Sequence, residues 1–531
     1  MRVIIQWLKA NRVLFVNAGS LVGTTVVTSG LGFVYWWVAA RRFSPDTIGA
    51  ASAFLSAMTL LGGGSLLGLD TLLITELPRQ PKLAGSIIST ALLVVGVTGA
   101  GGGVLFALGA GYVSPVFQSL RTSVLDLVVF AAGIGGCAMT LVLDQALIGL
   151  LKGGLQFWRN AFFSVIKLLA LFAASNWPSN QPGIQIYATW MVSIMLSLGF
   201  IAAHVIENPH WRKKNYLPQW SLLRRFSLSS MKHHLLNITL QAPTLLLPVL
   251  VTMLLSARTN AWFYVSWMIA SFVFVVPGAM TAVLHAMNAT QQAALARGVK
   301  LTIMVSLVFC VLANLVLQCG SAQVLSLFGP TYAAEASWSL RILALAAFPL
   351  IIKNHYISLC RIQERIGKAM VSMLPGGGLE LVGAAFGARL AGLQGLSLGW
   401  LGALVIEAAL MFPTIYRVIQ PTQGDPDQTA QAMSQQRDVW LIDTAPLFAI
   451  SNSFRGITDV TWLSGPLLIP AAGPSLPERG RSLVSRSGRA TRDKISRLKP
   501  PPLQHYASPP ADMLLVSGTD HGMAEHYREV S

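Results

Sequence analysis

The chain has 531 residues, of which 53% are hydrophobic and 11% charged, and its formal net charge is +17. Soluble proteins average roughly 25% charged residues, so this composition excludes an ordinary water-soluble domain and points to lipid as the solvent. The segment from Pro421 onward holds 11 basic and 11 acidic side chains, which leaves the whole excess charge in the first 420 residues. There the basic residues are scattered over short segments between apolar runs, a pattern that fits the anionic inner leaflet of a membrane and argues against a nucleic-acid surface.

Residues 1–12 mix Arg2, Lys9 and Arg12 with Ile4, Ile5, Trp7 and Leu8, and are expected to lie in the membrane interface. No signal-peptide cleavage pattern follows them. Apolar runs then cover 13–39, 47–74, 84–111, 124–151, 161–177 and 184–206. A polar, basic segment at 207–235 comes next, with Arg212, Lys213 and Lys214 at its start, and six further runs follow at 236–256, 261–285, 300–320, 339–359, 366–388 and 394–416. At 1.5 Å per residue these runs are long enough to cross about 30 Å of hydrocarbon as helices. Strands of a barrel would alternate polar and apolar positions, which these do not. The predicted class is an all-α polytopic membrane protein of about twelve transmembrane helices. The predicted organisation is a first six-helix bundle at 13–206, a basic cytoplasmic loop at 207–235, a second bundle at 236–417 and a disordered tail at 418–531, rich in Pro, Ser, Gly and Gln.

Two halves of six spans each begin and end on the same side, so the repeat is of the parallel kind. Weak internal similarity supports it: LIGLLKGGLQFWRNAFF follows the fourth span and ISLCRIQERIGKAMVSM the tenth. With the N-terminus inside, the inner segments hold 18 Lys and Arg and the outer loops 5, so both termini are expected in the cytoplasm. Breakers inside spans, Gly62 to Gly64, Pro243, Pro248, Pro277, Pro349 and Pro375 before Gly376 to Gly378, are candidate kinks. Cys137, Cys310, Cys319 and Cys360 fit buried small hydrophobes, and no spacing suggests a metal site.

No phosphate-binding loop, nucleophile elbow or zinc motif occurs, so no catalytic residue, metal or cofactor is expected. The ionisable residues inside spans are Asp70, Asp144, Lys167, Arg341, Lys353, Glu380 and Glu407. Each is costly in hydrocarbon unless paired or hydrated. One reading places them around a hydrated cavity, with Lys167 and Lys353 holding an anionic cargo, together with polar Asn17, Asn237 and Gln241. In it Glu380 and Glu407, and also Asp70 and Asp144, bind a coupling ion or switch conformation. The other pairs Asp144 with Lys167 on adjacent helices and lets residues near span ends snorkel.

The stretch GFVYWWVAARRFSPDTIGAASAFLSA leading to LGLDTLLITELPR, together with LDQALIGLLKGGLQFWRN and SWSLRILALAAFPLIIKNHYISLCRIQERIGKA, resembles the bacterial polysaccharide or O-antigen flippases of the multidrug/oligosaccharidyl-lipid/polysaccharide (MOP) exporter superfamily. The resemblance runs over residues 11–417. It implies two six-helix bundles that move a polyprenyl-pyrophosphate-linked oligosaccharide across the bacterial cytoplasmic membrane for surface polysaccharide and lipopolysaccharide synthesis, with Arg41, Arg42, Lys167 and Lys353 as candidates for the pyrophosphate. It names no assembly partner. A cation-coupled multidrug antiporter of the same fold is the alternative, with Glu380 or Glu407 as ion ligand. A membrane polysaccharide polymerase fits less well, because the longest outer loop, 321–338, carries Glu335 as its only charge.

Overall fold

The structure, a computed structural model, describes residues 12–177, 181–221, 228–286, 292–363 and 365–420. The expectations for the first eleven residues and for the tail from Pro421 fall outside them. Long apolar runs leave the backbone no partner but itself, and the described chain is accordingly helical. The helices are α1 (Arg12–Arg42), α2 (Pro45–Gly64), α3 (Leu69–Arg79), α4 (Ala84–Val113), α5 (Val124–Gly149), α6 (Gly153–Ser175) and α7 (Pro182–Glu207) in the first half. In the second half they are α8 (Leu228–Leu254), α9 (Ala257–Ala286), α10 (Gln292–Ser326), α11 (Pro330–Leu345) and α12 (Ala347–Ile362), followed by one helical stretch over Ile366–Ile419. Starts are set by local chemistry: Pro opens α2, α7 and α11, the Ser44 hydroxyl accepts from the Thr47 amide, and Ser123 does the same for Asp126.

Three departures from the expected spans have physical reasons. The second span breaks at 65–68, where Leu67 and Gly68 adopt φ of 52° and 80°, so α3 leaves the line of α2. The tenth runs from Pro330 to Ile362 with a bend at Ala346, because Tyr332, Ala336 and Leu340 bury against the second half; the expected outer loop at 321–338 shrinks to 327–329. The last stretch is 54 residues long and turns back on itself at Ala391 and Gly392, the latter at φ 57°. It therefore counts as two crossings, α13 (366–391) and α14 (393–419), and the crossings among the described residues total twelve. By contrast, Pro243, Pro248, Pro277 and Pro375 sit inside uninterrupted helices, so they are not breaks.

Within the first half α1 packs on α6, α4 on α5, and α7 on both α5 and α6. Within the second, α8 lies against the α13–α14 hairpin, and α9 touches α10, α11 and α12. The halves meet chiefly through α2, which runs along α8 and α9. The turns near Arg79, Lys82, Lys152, Arg212, Lys213, Arg365 and Lys368 share one end of the bundles, called here the basic face. The end that carries the turns at 43–44, 255–256 and 391–392 is the far face.

The α13–α14 hairpin is a glycine seam. A Cβ on Gly383 would lie 2.7 Å from the Gly399 carbonyl oxygen, and one on Gly387 would overlap that of Gly395. Gly387→Val is expected to cost about 1–3 kcal/mol through overpacking, read as a lower unfolding temperature in detergent, whereas Gly402→Val, with open space around it, is expected to change little.

Candidate functional site

At the far face the two halves are drawn together. Asn260 of α9 donates through Nδ2 to the Gly49 carbonyl at 2.8 Å and to the Ser52 hydroxyl at 2.9 Å. Gly49 is needed there, since any Cβ would run into the backbone of Ala257. Around this contact Arg258 pairs with Asp46 at 2.8 Å, Arg41 donates to the Leu327 carbonyl at 3.0 and 3.1 Å, and Trp36 packs on Tyr264.

Nearer the basic face the seam contains a narrow recess, with room for about one water molecule in this conformation. Its walls are Leu60, Gly63, Leu66 and Asp70 from the first half and His234, Asn237, Ile238, Gln241 and Leu245 from the second. Positions 234, 237, 238, 241 and 245 recur at helical spacing, so one face of α8 supplies the second wall. Asn237 accepts from Arg361 of α12 at 2.8 Å, and His234 Nε2 lies 3.5 Å from the Gly64 carbonyl. Asp70 Oδ1 and Gln241 Oε1 are buried without a hydrogen-bond partner. The structure thus gathers Asp70, Asn237 and Gln241 at one place. Sequence reasoning missed His234, which lay in the expected 207–235 loop, and Arg361, which was counted as a loop cation. The periodic polar face of α8 was the signal that reveals His234.

The four candidate cations do not converge. Arg41 and Arg42 stand at the far face, with Arg42 over the Phe172 ring. Lys167 is fully enclosed in the first half, its ammonium 4.2 Å from the Trp190 ring centre and near Phe163 and Tyr35. Asp144 does not pair with Lys167: it pairs with Arg159 at 2.7 Å and accepts from Asn160 Nδ2 at 3.2 Å. The reason is that α6 begins at Gly153, earlier than the expected 161, which brings Arg159 off the presumed loop and into the bundle, where it is 3% exposed. Lys167 lies eight residues further along the helix, about 12 Å away. Asn17 is spent on structure, its Oδ1 accepting the Gly153 amide at 2.6 Å. Arg341, near the far face, donates to Ser321 at 2.8 Å and lies over Trp338.

Lys353 carries the densest charge cluster. Its ammonium is 2.5 Å from Glu380 Oε1 and 2.8 Å from Glu407 Oε2, and the Trp400 indole donates to Glu380 Oε2 at 2.7 Å. Gly376 makes the room, since a Cβ there would lie 2.8 Å from the Glu407 carboxyl carbon. Asp144 stands four residues before Ile148-Gly149-Leu150 and Lys353 four before Ile357-Ser358-Leu359, so equivalent places in the two halves hold opposite charges. Among the described residues no group of three or more His, Cys, Asp and Glu is placed to hold a metal. Cys137, Cys310 and Cys360 are buried, but Cys319 is exposed, contrary to expectation, because it lies on an outward face of α10.

Removing one partner of such a buried cluster leaves charge unmatched. Lys353→Met is expected to destabilise the protein by about 3–5 kcal/mol. Adding Glu380→Gln and Glu407→Gln should return a large part of the loss, and thermal unfolding of the single and triple variants checks both statements.

No family model matches the sequence, and no curated protein matches it. Solved structures do. An inward-facing multidrug resistance MATE family transporter of the MOP superfamily superposes with a TM-score of 0.57 at 15% identity, over 75% of this chain and 94% of that one. An outward-facing one superposes with a TM-score of 0.52 at 14% identity, over 76% and 95%. A MOP superfamily transporter from Pyrococcus furiosus, described as having a binding pocket of reverse polarity, gives 0.51 at 13% identity, over 76% and 97%. Twelve crossings in two halves that meet along α2 are, in arrangement, the fold of the MATE transporters of the MOP superfamily.

Proposed function

We propose that this chain is an alternating-access transporter of the bacterial cytoplasmic membrane, with its basic face and both termini in the cytoplasm, and that it flips a polyprenyl-pyrophosphate-linked oligosaccharide toward the outer leaflet. The observation that carries the reading is the recess between the halves, whose two walls come from different bundles and whose free acceptors, Asp70 Oδ1 and Gln241 Oε1, suit the hydroxyl groups of a sugar. Rocking of one bundle against the other changes both walls at once, so a cargo bound there biases the equilibrium between the two states. At the far face the halves are held together by Asn260, Arg258 and Arg41. The basic face carries the charge that the inner leaflet attracts. The sequence resemblance supplies the lipid-linked saccharide as cargo.

A second reading, a cation-coupled multidrug antiporter, is favoured by the cluster of two carboxylates on one lysine. With all three groups ionised the site keeps a net negative charge, which a proton or Na⁺ neutralises. The solved structures of this fold include multidrug resistance transporters, while the Pyrococcus furiosus protein's reversed pocket polarity is described as suggesting a different function.

In cells whose surface polysaccharide depends on this chain, the paired change Asn237→Leu and Gln241→Leu should lower surface polysaccharide about tenfold, in line with unpaired polar groups at a binding site, and trap lipid-linked intermediate on the inner leaflet. Intact polysaccharide without trapped intermediate, combined with drug sensitivity that changes in Glu407→Gln, would establish the antiporter instead.

A further inference from the structure

The chain that follows α7 is strapped onto the base of α4. Residues 213–219 form neither helix nor strand, so their backbone polar groups need other partners, and α4 supplies two of them. Ser86 Oγ donates to the Asn215 carbonyl at 3.2 Å, and the Gln219 amide donates to Thr90 Oγ1 at 2.8 Å. Gly85 lets the segment lie so close, since a Cβ there would stand 2.5 Å from the Asn215 carbonyl oxygen. Lys214 donates to the Pro81 carbonyl at 3.2 Å and lies 4.2 Å from the centre of the Trp211 ring, which holds the strap beside the turn between α3 and α4. The two segments therefore show their cations together: Arg212 and Lys213 from the strap, and Arg79 and Lys82 from the turn, are all exposed. Arg79 keeps a 3.4 Å pair with Glu76 of its own helix, and Glu207 at the end of α7 is an exposed acid beside the strap. Leu217 and Trp220 are 72% and 57% exposed, so large apolar surfaces stand among these charges.

We propose that this strap is a docking surface for anionic phospholipid of the inner leaflet, with Arg212, Lys213 and Lys82 meeting headgroup phosphates and with Leu217 and Trp220 entering the boundary between headgroups and acyl chains. The side of the membrane rests on the orientation proposed above, whereas the surface itself is independent of the cargo. Its level in the bilayer follows from α4, which begins at Ala84 and continues as an apolar helix to Val113. The first turns of such a helix stand at the border of the hydrocarbon, and a strap bound to Ser86 and Thr90 lies at the same border. Exposed tryptophan and leucine among lysines and arginines suit that border, where one end of a group is wet and the other apolar. The patch keeps a positive excess after Glu76 and Glu207 are counted, and the anionic leaflet attracts it. A soluble anion would satisfy the cations and leave Leu217 and Trp220 in water. A lipid meets both.

Titrating the full chain in uncharged detergent with phosphatidylglycerol, or with phosphatidylcholine of the same acyl chains, tests this through the rise in unfolding temperature that a ligand of the folded state produces. Phosphatidylglycerol is expected to half-saturate that rise at a concentration about tenfold lower than phosphatidylcholine. Arg365 and Lys368, exposed on the same face of the second half, provide a comparison of equal charge. Arg212→Gln with Lys213→Gln should raise the half-saturating phosphatidylglycerol concentration about twentyfold, roughly fivefold per cation, whereas Arg365→Gln with Lys368→Gln should change it less than about twofold. Should the first double variant fail to fold, each of its single substitutions, expected at about fivefold, takes its place. Equal half-saturation by the two lipids would overturn the proposal, and so would an equal loss in the two double variants, which would reflect only the general charge of the face. A rise of the same size with inorganic phosphate would assign the cations to a soluble anion and overturn it as well. Loss of the flipping activity proposed above, with the phosphatidylglycerol preference intact, would remove that cargo and leave this surface standing.

Discussion

Hydrocarbon offers a polar group no partner, and this structure is organised by the need to pair the charges it takes inside. An isolated ion at the centre of a bilayer is costly by any estimate, while a cluster in which each atom has a neighbour is not. Lys353 is accommodated because Glu380, Glu407 and Trp400 reach it from α13 and α14, which they do only because the hairpin at Gly392 returns the chain beside itself and Gly376 leaves space for a carboxyl. The glycine seam of that hairpin, the bend between α11 and α12 and the ion cluster are thus parts of one arrangement. Altering any of them disturbs the same side chains.

The first bundle meets the same requirement by another route. Its acid and its arginine lie near the basic face on α5 and α6, its lysine sits among aromatic rings, and between them runs a stripe of amides and hydroxyls. Neither bundle contributes its buried lysine to the seam. The recess between halves is instead built from neutral polar groups, one carboxylate and a histidine, with Arg361 held behind Asn237.

The class of fold was legible in the sequence because continuous apolar runs admit one structural solution in lipid, and ten of the twelve expected spans each coincide with a single helix, the second and the tenth being divided between two. The expected second span was the exception in shape: nothing in its composition marks the left-handed step at Leu67 and Gly68, which depends on α3 finding its place against α5. Ends were harder than centres. Taking α6 to start at 161 placed Arg159 in a loop, and from that single displacement followed the wrong partner for Asp144. Likewise Lys353, Glu380 and Glu407 were each recognised as buried charges, but their mutual contact is a matter of which helix faces which, and hydropathy is silent on that. The recess fared better, since Asn237 and Gln241 stand a helical turn apart on an otherwise apolar span and Asp70 lies inside another.

Asp144 and Lys353 occupy equivalent places in the two halves, yet they differ in sign. The two places therefore correspond in sequence position but not in charge. With every group ionised, the Asp144, Arg159 and Lys167 group is positive and the Lys353, Glu380 and Glu407 cluster negative, while at the seam itself the order is reversed, with Asp70 on the first half's wall and Arg361 behind Asn237 on the second's. A molecule lying in the seam meets a carboxylate on one wall and a guanidinium behind the other, so a cargo with one anionic end has a preferred way round, set by the groups nearest to it.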